Sequence, residues 1–203
     1  MSLEQLVELS REYGSDPRWV LAGGGNTSYK TESTLYIKAS GFPLATIGPE
    51  GFARMRRARL AQMWEASYPT ETAEREASTL ADLMAAREED EEKRPSVETL
   101  MHELFPYPYI IHTHPSLVNG LTCAQDGEAA AHRLFGDRLL WVPAIEPGYV
   151  LALEMRRLAR KHAEAHGEYP RLVMLQNHGL VIAGESAGSP SSSRSWGSRS
   201  WRG

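Results

Sequence analysis

Three histidines have the residue type and the spacing of a metal site. His112 and His114 lie two residues apart in PYIIHTHP, a segment that favours a β-strand, so both side chains would leave the same face of a sheet. His178 precedes Gly179, which lets the backbone turn tightly between two apolar segments, RLVMLQ and GLVIAG. Three neutral imidazoles with an open fourth position are typical of a catalytic Zn²⁺ site, whereas structural sites more often recruit cysteines. The alternative is a strand with two hydrogen-bonded histidines and a third histidine in an ordinary turn.

A carboxylate precedes the first two of these histidines in the chain. Glu98 closes the segment PSVE, and we expect it in the first turn of a short helix over residues 96–104. The helix dipole favours a negative charge there by ~0.3–1 kcal/mol, so the stability of the helix start alone would explain this residue. The free amides of the helix start, together with the Ser96 hydroxyl, could instead bind a phosphate. The short loop FPYP could bring Glu98 close to the metal.

The segment GGGNTS, residues 23–28, is a further candidate for a binding loop. Glycine-rich turns are common, so the glycines alone predict only a turn. Consecutive glycines also let several N–H groups converge on an anion, and Asn26 adds a side-chain donor. The segment precedes a predicted strand, whereas the P-loop and the dinucleotide fingerprint precede a helix.

Helices and strands alternate along the chain and would position these residues. Ser2 and Gln5 form a capping-box pattern at the first helix, and Leu35 and Ile37 alternate with Tyr36 and Lys38 as in a strand. The alternation has no strict βαβ rhythm, which predicts an α/β fold with a central mixed sheet covered by helices. The predicted helices cover residues 2–13, 57–87 with a break near residue 68, 96–104 and 149–166, and the predicted strands cover residues 26–30, 34–41, 108–115, 139–142, 171–176 and 179–184.

Other residues are assigned to packing or to the surface. The charge run Glu88 to Arg94 is expected to be a solvated connection. The histidines outside the candidate site are expected to be surface or packing residues, and they are His102, His132, His162 and His166. The expected inward face of the helix before the charge run consists of Ala73, Ala77, Leu80 and Met84.

Length and composition bound the class of protein. The 203 residues suit one domain, which we assign to residues 1–184, followed by a Ser/Arg/Gly-rich disordered tail over residues 185–203. A net charge of −4 with mixed signs indicates neither a nucleic-acid nor a membrane surface. The single cysteine, Cys123, excludes an internal disulfide framework and fits a reducing compartment. The first residues are not typical of a signal peptide and no apolar run approaches the ~20 residues of a membrane helix, so we expect a cytoplasmic protein.

Five motifs in this order, GGGNTS, IKASG, PSVE, HTHP and NHG, resemble the class II (zinc-dependent) aldolase family, which shares its fold with adducin head domains. The resemblance is closest to the fuculose-phosphate and rhamnulose-phosphate aldolases. It implies a three-layer α/β/α fold with a mainly antiparallel sheet. It also implies reversible cleavage of a ketose 1-phosphate to dihydroxyacetone phosphate and an aldehyde such as lactaldehyde. Sugar-phosphate 4-epimerases, decarboxylases, dehydratases and non-catalytic adducin-like modules use the same scaffold and are alternatives.

The resemblance assigns a role to each candidate residue. Zn²⁺, one ion per subunit, would be bound by His112, His114 and His178, and Glu98 would be the catalytic acid and base. Val97 stands where many members have a second serine, which removes one phosphate contact. The positions that match the phosphate-binding residues of the family are Asn26, Ser28, Ser40, Gly41 and Ser96.

The resemblance further implies the partners of the chain. The substrate would be a small sugar phosphate, and the chain would form a homo-oligomer, most simply a tetramer, with active sites between subunits. Glu146 and Tyr149 are candidates for residues that face a neighbouring site, although a capped helix start would explain them equally. The GGGN and IKASG forms are similar to those of rhamnulose-phosphate aldolases fused to a short-chain dehydrogenase, which predicts that this chain is part of a longer polypeptide. No nucleic acid or membrane is expected as a partner.

Overall fold

The computed structural model describes residues 2–21 and 24–186 and contains, within them, one seven-stranded sheet. The strands are β1 (Asn26–Lys30), β2 (Thr34–Lys38), β3 (Phe52–Arg56), β4 (Tyr109–Thr113), β5 (Leu139–Val142), β6 (Leu172–Leu175) and β7 (Gly179–Gly184). Their order across the sheet is β3-β2-β1-β4-β7-β6-β5. Only the pair of β5 with β6 is parallel among these described strands, which confirms the mixed, mainly antiparallel sheet.

Helices cover both faces of the sheet and complete the predicted three layers. They are α1 (Leu3–Gly14), α2 (Arg57–Met63), α3 (Thr72–Ala85), α4 (Thr99–Glu103), α5 (Ser116–Thr122), α6 (Gly127–Phe135) and α7 (Tyr149–His166). On one face, Met101 of α4 and Met155 of α7 pack with Ile110 of β4. On the other face, Leu6 of α1 packs with Ile111 of the same strand, because successive strand residues point to opposite faces. Residues of α5 and α6 extend this second layer over β5 and β6.

Most of the predicted elements form within a few residues of their expected bounds. The capping box is present at α1, where Ser2 and Gln5 exchange hydrogen bonds. The predicted break near residue 68 separates α2 from α3, and α7 has the predicted bounds. No helix among the described residues is long and apolar enough to cross a membrane.

Several local features differ from the prediction. Strand β3 and the helices α5 and α6 were not predicted. The buried residues of α3 are Thr79 and Leu83. Each of them directly precedes a residue of the predicted inward face, so the helix is rotated about its axis relative to the prediction. The charge run is not fully solvated, because Glu91 is buried and accepts hydrogen bonds from Arg54 and Lys93. The predicted tail lies outside the described residues apart from positions 185 and 186.

Candidate active site

The three predicted histidines converge at one end of the central strands. His112 is near the end of β4, His114 follows that strand directly, and His178 lies in the turn between β6 and β7. One ligand nitrogen from each ring lies within 4.8 Å of the other two. The Nε2 atoms of His112 and His114 are 2.9 Å apart. The rings therefore share one centre, as a common metal ion requires.

Two glycines allow the chain to approach these rings closely. A Cβ atom on Gly179 would lie 2.6 Å from Cδ2 of His114 and 2.6 Å from the carbonyl oxygen of Thr113. Gly25 has a φ of +75°, and a Cβ atom there would lie 2.8 Å from the carbonyl oxygen of His112. Both positions need glycine, because real Cβ atoms do not approach backbone oxygens this closely. The glycine segment, of which residue 23 lies outside the described part, thus packs against the end of the histidine strand.

Hydrogen bonds and burial prepare the imidazoles as ligands. Nδ1 of His112 donates to the carbonyl oxygen of Leu180 at 3.0 Å, which directs Nε2 to the common centre. Burial, followed by the neighbouring His112 and His178, lowers the pKa of His114 to about 4, so this ring is neutral at physiological pH. Nδ1 of His178 is buried and has no hydrogen-bond partner among the described residues. Neutral imidazoles are the form in which histidine binds a metal.

The Glu98 carboxylate faces the same centre. Its Oε1 lies 3.5 Å from Nε2 of His112 and 3.2 Å from Nε2 of His178, and its Oε2 accepts a 2.6 Å hydrogen bond from Nδ2 of Asn26. Burial raises the pKa of Glu98, but the attraction of His112 and the hydrogen bonds from His178 and Asn26 outweigh it and hold the pKa well below its usual range. The predicted start of this helix is wrong, because α4 begins at Thr99 and not at residue 96. Glu98 is therefore the N-cap of α4 and not a residue of its first turn. The carboxylate is therefore ionised and aimed at the imidazoles.

Two of the predicted phosphate segments lie side by side. An isolated antiparallel β-bridge pairs Ala39 with Pro95, and the Ser40 amide donates to the carbonyl oxygen of Arg94, so the segment with Ser40 and Gly41 runs beside the one that leads to Ser96. Ser40 and Gly41 are exposed, and the space where a Gly41 side chain would point is open. The Ser96 hydroxyl accepts a 3.2 Å hydrogen bond from the backbone amide of Glu98, which holds Ser96 beside the residue that carries the carboxylate. That these residues bind phosphate stays a prediction.

Asn26 and Ser28 lie within β1, not in the glycine loop. Nδ2 of Asn26 contacts Ser96 Oγ at 3.4 Å as well as Glu98, and its Oδ1 is hydrogen-bonded to His102. The Ser28 hydroxyl is fully buried and lies 2.8 Å from Nδ1 of His102. Their assignment to phosphate binding also stays a prediction.

Sequence reasoning missed two residues of this region. His102 is fully buried on α4 and was expected to be a surface or packing residue. Its spacing of four from Glu98 could have indicated it, since residues four apart on a helix are neighbours. Lys38 at the end of β2 is also buried. Burial lowers the pKa of Lys38, and the Glu98 carboxylate opposes this shift.

An open groove adjoins His178. It has a volume of about 280 Å³ and is lined by Ala144, Ile145, Glu146, Pro147, Gln176, Asn177 and His178. The exposed Glu146 thus borders the site within its own chain. Tyr149 does not, because its ring is buried against Tyr68 and its hydroxyl donates to the carbonyl oxygen of Met63.

Comparisons with known proteins agree with this geometry. The sequence model of the class II aldolase and adducin N-terminal domain matches residues 4–189. A Bacillus subtilis (strain 168) protein named "Uncharacterized oxidoreductase YuxG" is 31% identical over 194 residues, which is 91% of this chain. The chain spans only 27% of the length of that relative.

Solved structures show the same fold. The N-terminal class II aldolase domain of a conserved Thermoplasma acidophilum protein superposes with a TM-score of 0.78 at 27% identity, over 93% of this chain and 86% of that one. The L-fuculose-1-phosphate aldolase of Thermus thermophilus superposes with a TM-score of 0.53 at 18% identity, over 93% of this chain and 85% of that one. At the second, lower identity the likeness concerns the fold alone.

Proposed function

Because this chain belongs to the class II aldolase and adducin N-terminal domain family, we propose that it is a metal-dependent aldolase for a ketose 1-phosphate of the rhamnulose or fuculose type. The products would be dihydroxyacetone phosphate and an aldehyde such as lactaldehyde. The observation that carries this proposal is the ionised Glu98 carboxylate, with one oxygen 3.2 Å from a histidine of the convergent set and the other fixed by Asn26. This arrangement combines a cation site with a base that faces it.

The histidines suit a Zn²⁺ ion. The donor set consists of three imidazoles without cysteine, and His112 carries the backbone hydrogen bond on Nδ1 that commonly orients a metal-bound histidine. His112, His114 and His178 would hold the ion. When bound there, Zn²⁺ would supply Lewis acidity for the carbonyl and hydroxyl oxygens of the substrate.

Glu98 would move the proton. Cleavage breaks the C3–C4 bond, whose electron pair moves toward the C2 carbonyl while the C4 hydroxyl loses its proton and becomes the aldehyde. C3 must then gain one proton to give dihydroxyacetone phosphate. The C4 hydroxyl loses one proton and C3 gains one, so the two transfers balance. A single carboxylate that is ionised at the start can accept the proton from the C4 hydroxyl and then deliver a proton to C3. Asn26 donates to Oε2, so Oε1, which faces the histidines, is the oxygen that would carry out this transfer.

The exposed pair Ser40 and Gly41, with Ser96, would orient the phosphate. Of these residues, Ser96 borders the candidate site, because Nδ2 of Asn26 contacts both Ser96 Oγ and Glu98. A phosphate bound by Ser96 would therefore lie close to the proton-transfer group, and such orientation is a large part of catalysis.

Metal analysis followed by a substrate panel tests this function. The protein should contain about one zinc per chain, and zinc-loaded protein should release dihydroxyacetone phosphate from rhamnulose 1-phosphate or fuculose 1-phosphate, measured through NADH oxidation by glycerol-3-phosphate dehydrogenase. Chelation should abolish the signal and zinc should restore it. Interconversion of ketose 5-phosphate epimers without release of a triose phosphate would identify an epimerase instead. Absence of a product from loaded protein across the panel would reject the proposal.

We propose further that the chain works within a longer polypeptide that carries a dehydrogenase. The support is that YuxG, of which this chain spans 27%, is named an oxidoreductase. A dehydrogenase on the same polypeptide could oxidise the aldehyde product as it forms. The intact mass of the protein from its native source tests this, and a mass near that of this chain alone would reject it.

The assembly is proposed to be a homotetramer in which a neighbouring subunit closes the groove beside His178. The support is that this groove is open in the single chain and that the exposed Glu146 borders it. Sedimentation velocity should show a tetramer, and Glu146→Ala should raise KM without changing the oligomer. A protein that is active as a monomer would reject this part.

A further inference from the structure

His102 is buried beside the candidate site without belonging to the metal cluster. Its side chain lies on α4 and points at β1, where Nδ1 is 2.8 Å from the Ser28 hydroxyl and Nε2 is hydrogen-bonded to Oδ1 of Asn26. Both ring nitrogens are therefore occupied within the chain. Burial, and then the neighbouring His112, lower the pKa of His102 to about 3, so the ring is neutral at physiological pH.

The direction of each hydrogen bond follows from the contacts of Asn26. Its Nδ2 atom donates to Oε2 of Glu98 at 2.6 Å and to Ser96 Oγ at 3.4 Å, so its other end, Oδ1, faces His102. The Asn26 oxygen then faces His102 and only accepts, which places the His102 proton on Nε2. Nδ1 of His102 is left as an acceptor for the Ser28 hydroxyl. The chain of donors runs from Ser28 through His102 and Asn26 to Glu98, with one consistent polarity.

We propose that His102 is a positioning residue that holds the Asn26 amide toward Glu98 and thereby fixes the carboxylate for proton transfer. The proposal rests on the proposed function in one respect, namely that Glu98 transfers the proton. The His102 imidazole donates to Oδ1 of Asn26 and thereby keeps Nδ2 of Asn26 on the side of the Glu98 carboxylate. Without this donor, the Asn26 amide group would be free to rotate and present its oxygen to the carboxylate instead. Glu98 would then sample orientations in which Oε1 no longer points at the reacting atoms.

The backbone of α4 has a separate anchor. The Lys30 ammonium is buried and donates to the carbonyl oxygens of His102 and Phe105 at 2.7 and 2.5 Å. This bond uses the main chain of residue 102 and not its ring. Removal of the imidazole therefore leaves the helix held in place, and a change in turnover can be separated from a change in fold.

Steady-state kinetics of zinc-loaded variants give the first test. His102→Leu should lower kcat about 10- to 100-fold, the usual effect of removing a group that orients a ligand or catalytic residue, with KM and zinc content within about twofold of wild type. His102→Gln, whose amide can donate near the Nε2 position, should recover most of the loss. Met101→Ala, a buried neighbour on the same helix, should lower Tm and leave kcat nearly unchanged.

A double-mutant cycle shows whether His102 acts through Asn26. Because both belong to one chain of bonds, the variant with His102→Leu and Asn26→Ala should be no slower than Asn26→Ala alone. Additive losses, or a His102→Gln variant as slow as His102→Leu, would overturn the proposal.

A readout without substrate separates this inference from the proposed function. In isotope-labelled protein, a side-chain amide proton of Asn26 should be shifted downfield by its bond to Glu98. The shift should vanish in His102→Leu and persist in His102→Gln. An unchanged signal in His102→Leu would overturn the positioning role whatever the activity. A signal that responds as expected in a protein that cleaves no ketose phosphate would reject the aldolase function and leave the positioning of Glu98 intact.

Discussion

The substitution Glu98→Gln separates proton transfer from every other property of the site. Glutamine has the volume of glutamate and leaves no cavity. Its oxygen can accept the 2.6 Å bond from Asn26, and its amide nitrogen would then face the imidazoles of His112 and His178, which lie 3.5 and 3.2 Å from the present Oε1. The fold and the histidine cluster should therefore persist.

The expected loss follows from the chemistry that is removed. An amide cannot take up a proton at neutral pH, and loss of a general acid–base group lowers a rate by ~10²–10⁴-fold. This factor corresponds to roughly 2.7–5.4 kcal/mol of activation free energy, since a tenfold change is about 1.36 kcal/mol. We expect kcat to fall by this amount for Glu98→Gln while KM changes by less than about tenfold.

The assay is release of dihydroxyacetone phosphate by zinc-loaded protein, with metal content measured on the same samples. Glu103→Gln is the matched control, because Glu103 lies on the same helix but pairs with Arg57, away from the histidines. It should alter Tm and not kcat. Wild-type turnover by Glu98→Gln, in protein with full zinc content, would show that Glu98 is merely the N-cap of α4.

Three further substitutions test other parts of the structure. Gly179→Ala should lower zinc affinity at least tenfold, because the added Cβ atom would clash with the Thr113 carbonyl and the His114 ring. Gly120→Ala is the control and should bind zinc like the wild type, because nothing lies within 4 Å of the added Cβ atom. Isothermal titration calorimetry measures both affinities. Ser40→Ala should raise KM for the ketose phosphate roughly tenfold with little change in kcat, as expected for one lost hydrogen bond to a charged group, and an unchanged KM would remove it from the phosphate site. Burial raises the pKa of Glu91, but its hydrogen-bonded partners outweigh this and lower the pKa from 4.5 to about 2. The stabilisation that the Glu91 carboxylate contributes is thus complete above pH ~4.5 and lost as the pH falls toward 2. Glu91→Gln should therefore lower the free energy of unfolding by ~1–3 kcal/mol at pH 7. In urea titrations, the difference in this free energy between wild type and variant should become smaller below pH 4.

The sequence predicted best where one local pattern determined the outcome. The capping box at α1 and the alternation of Leu35 and Ile37 depend on near neighbours, and both are present in the structure. The order of motifs predicted the sheet and the convergence of the histidines, because the family fixes how distant strands pair. Strand β3 was missed because the alternation of the buried Ala53 and Met55 with two arginines is too short to stand out, and its strand pairing is with the distant β2.

The parts of the site that the sequence did not predict are contacts between residues far apart in the chain. The Asn26–His102 bond joins positions 76 residues apart, and neither helix nor strand periodicity carries that information. The burial of Glu91 likewise depends on Arg54, 37 residues away. The sequence prediction for such side chains used only their neighbours in the chain. By that criterion, a histidine on a short helix or a glutamate in a charge run has no special role.

The order of the central strands has a consequence for when a metal ion could bind during folding. Strands β1, β4 and β7 are adjacent in the sheet, yet His112 of β4 and Leu180 of β7 are 68 residues apart in the sequence. Contacts over such distances form slowly, because the entropy of closing long loops must be overcome before any contact is gained. His178 lies between β6 and β7, so a Zn²⁺ ion would meet all three histidines only after these strands have joined β4, and we expect it to bind a chain that is already nearly native. Zinc uptake during refolding should therefore follow, and never precede, the appearance of the sheet.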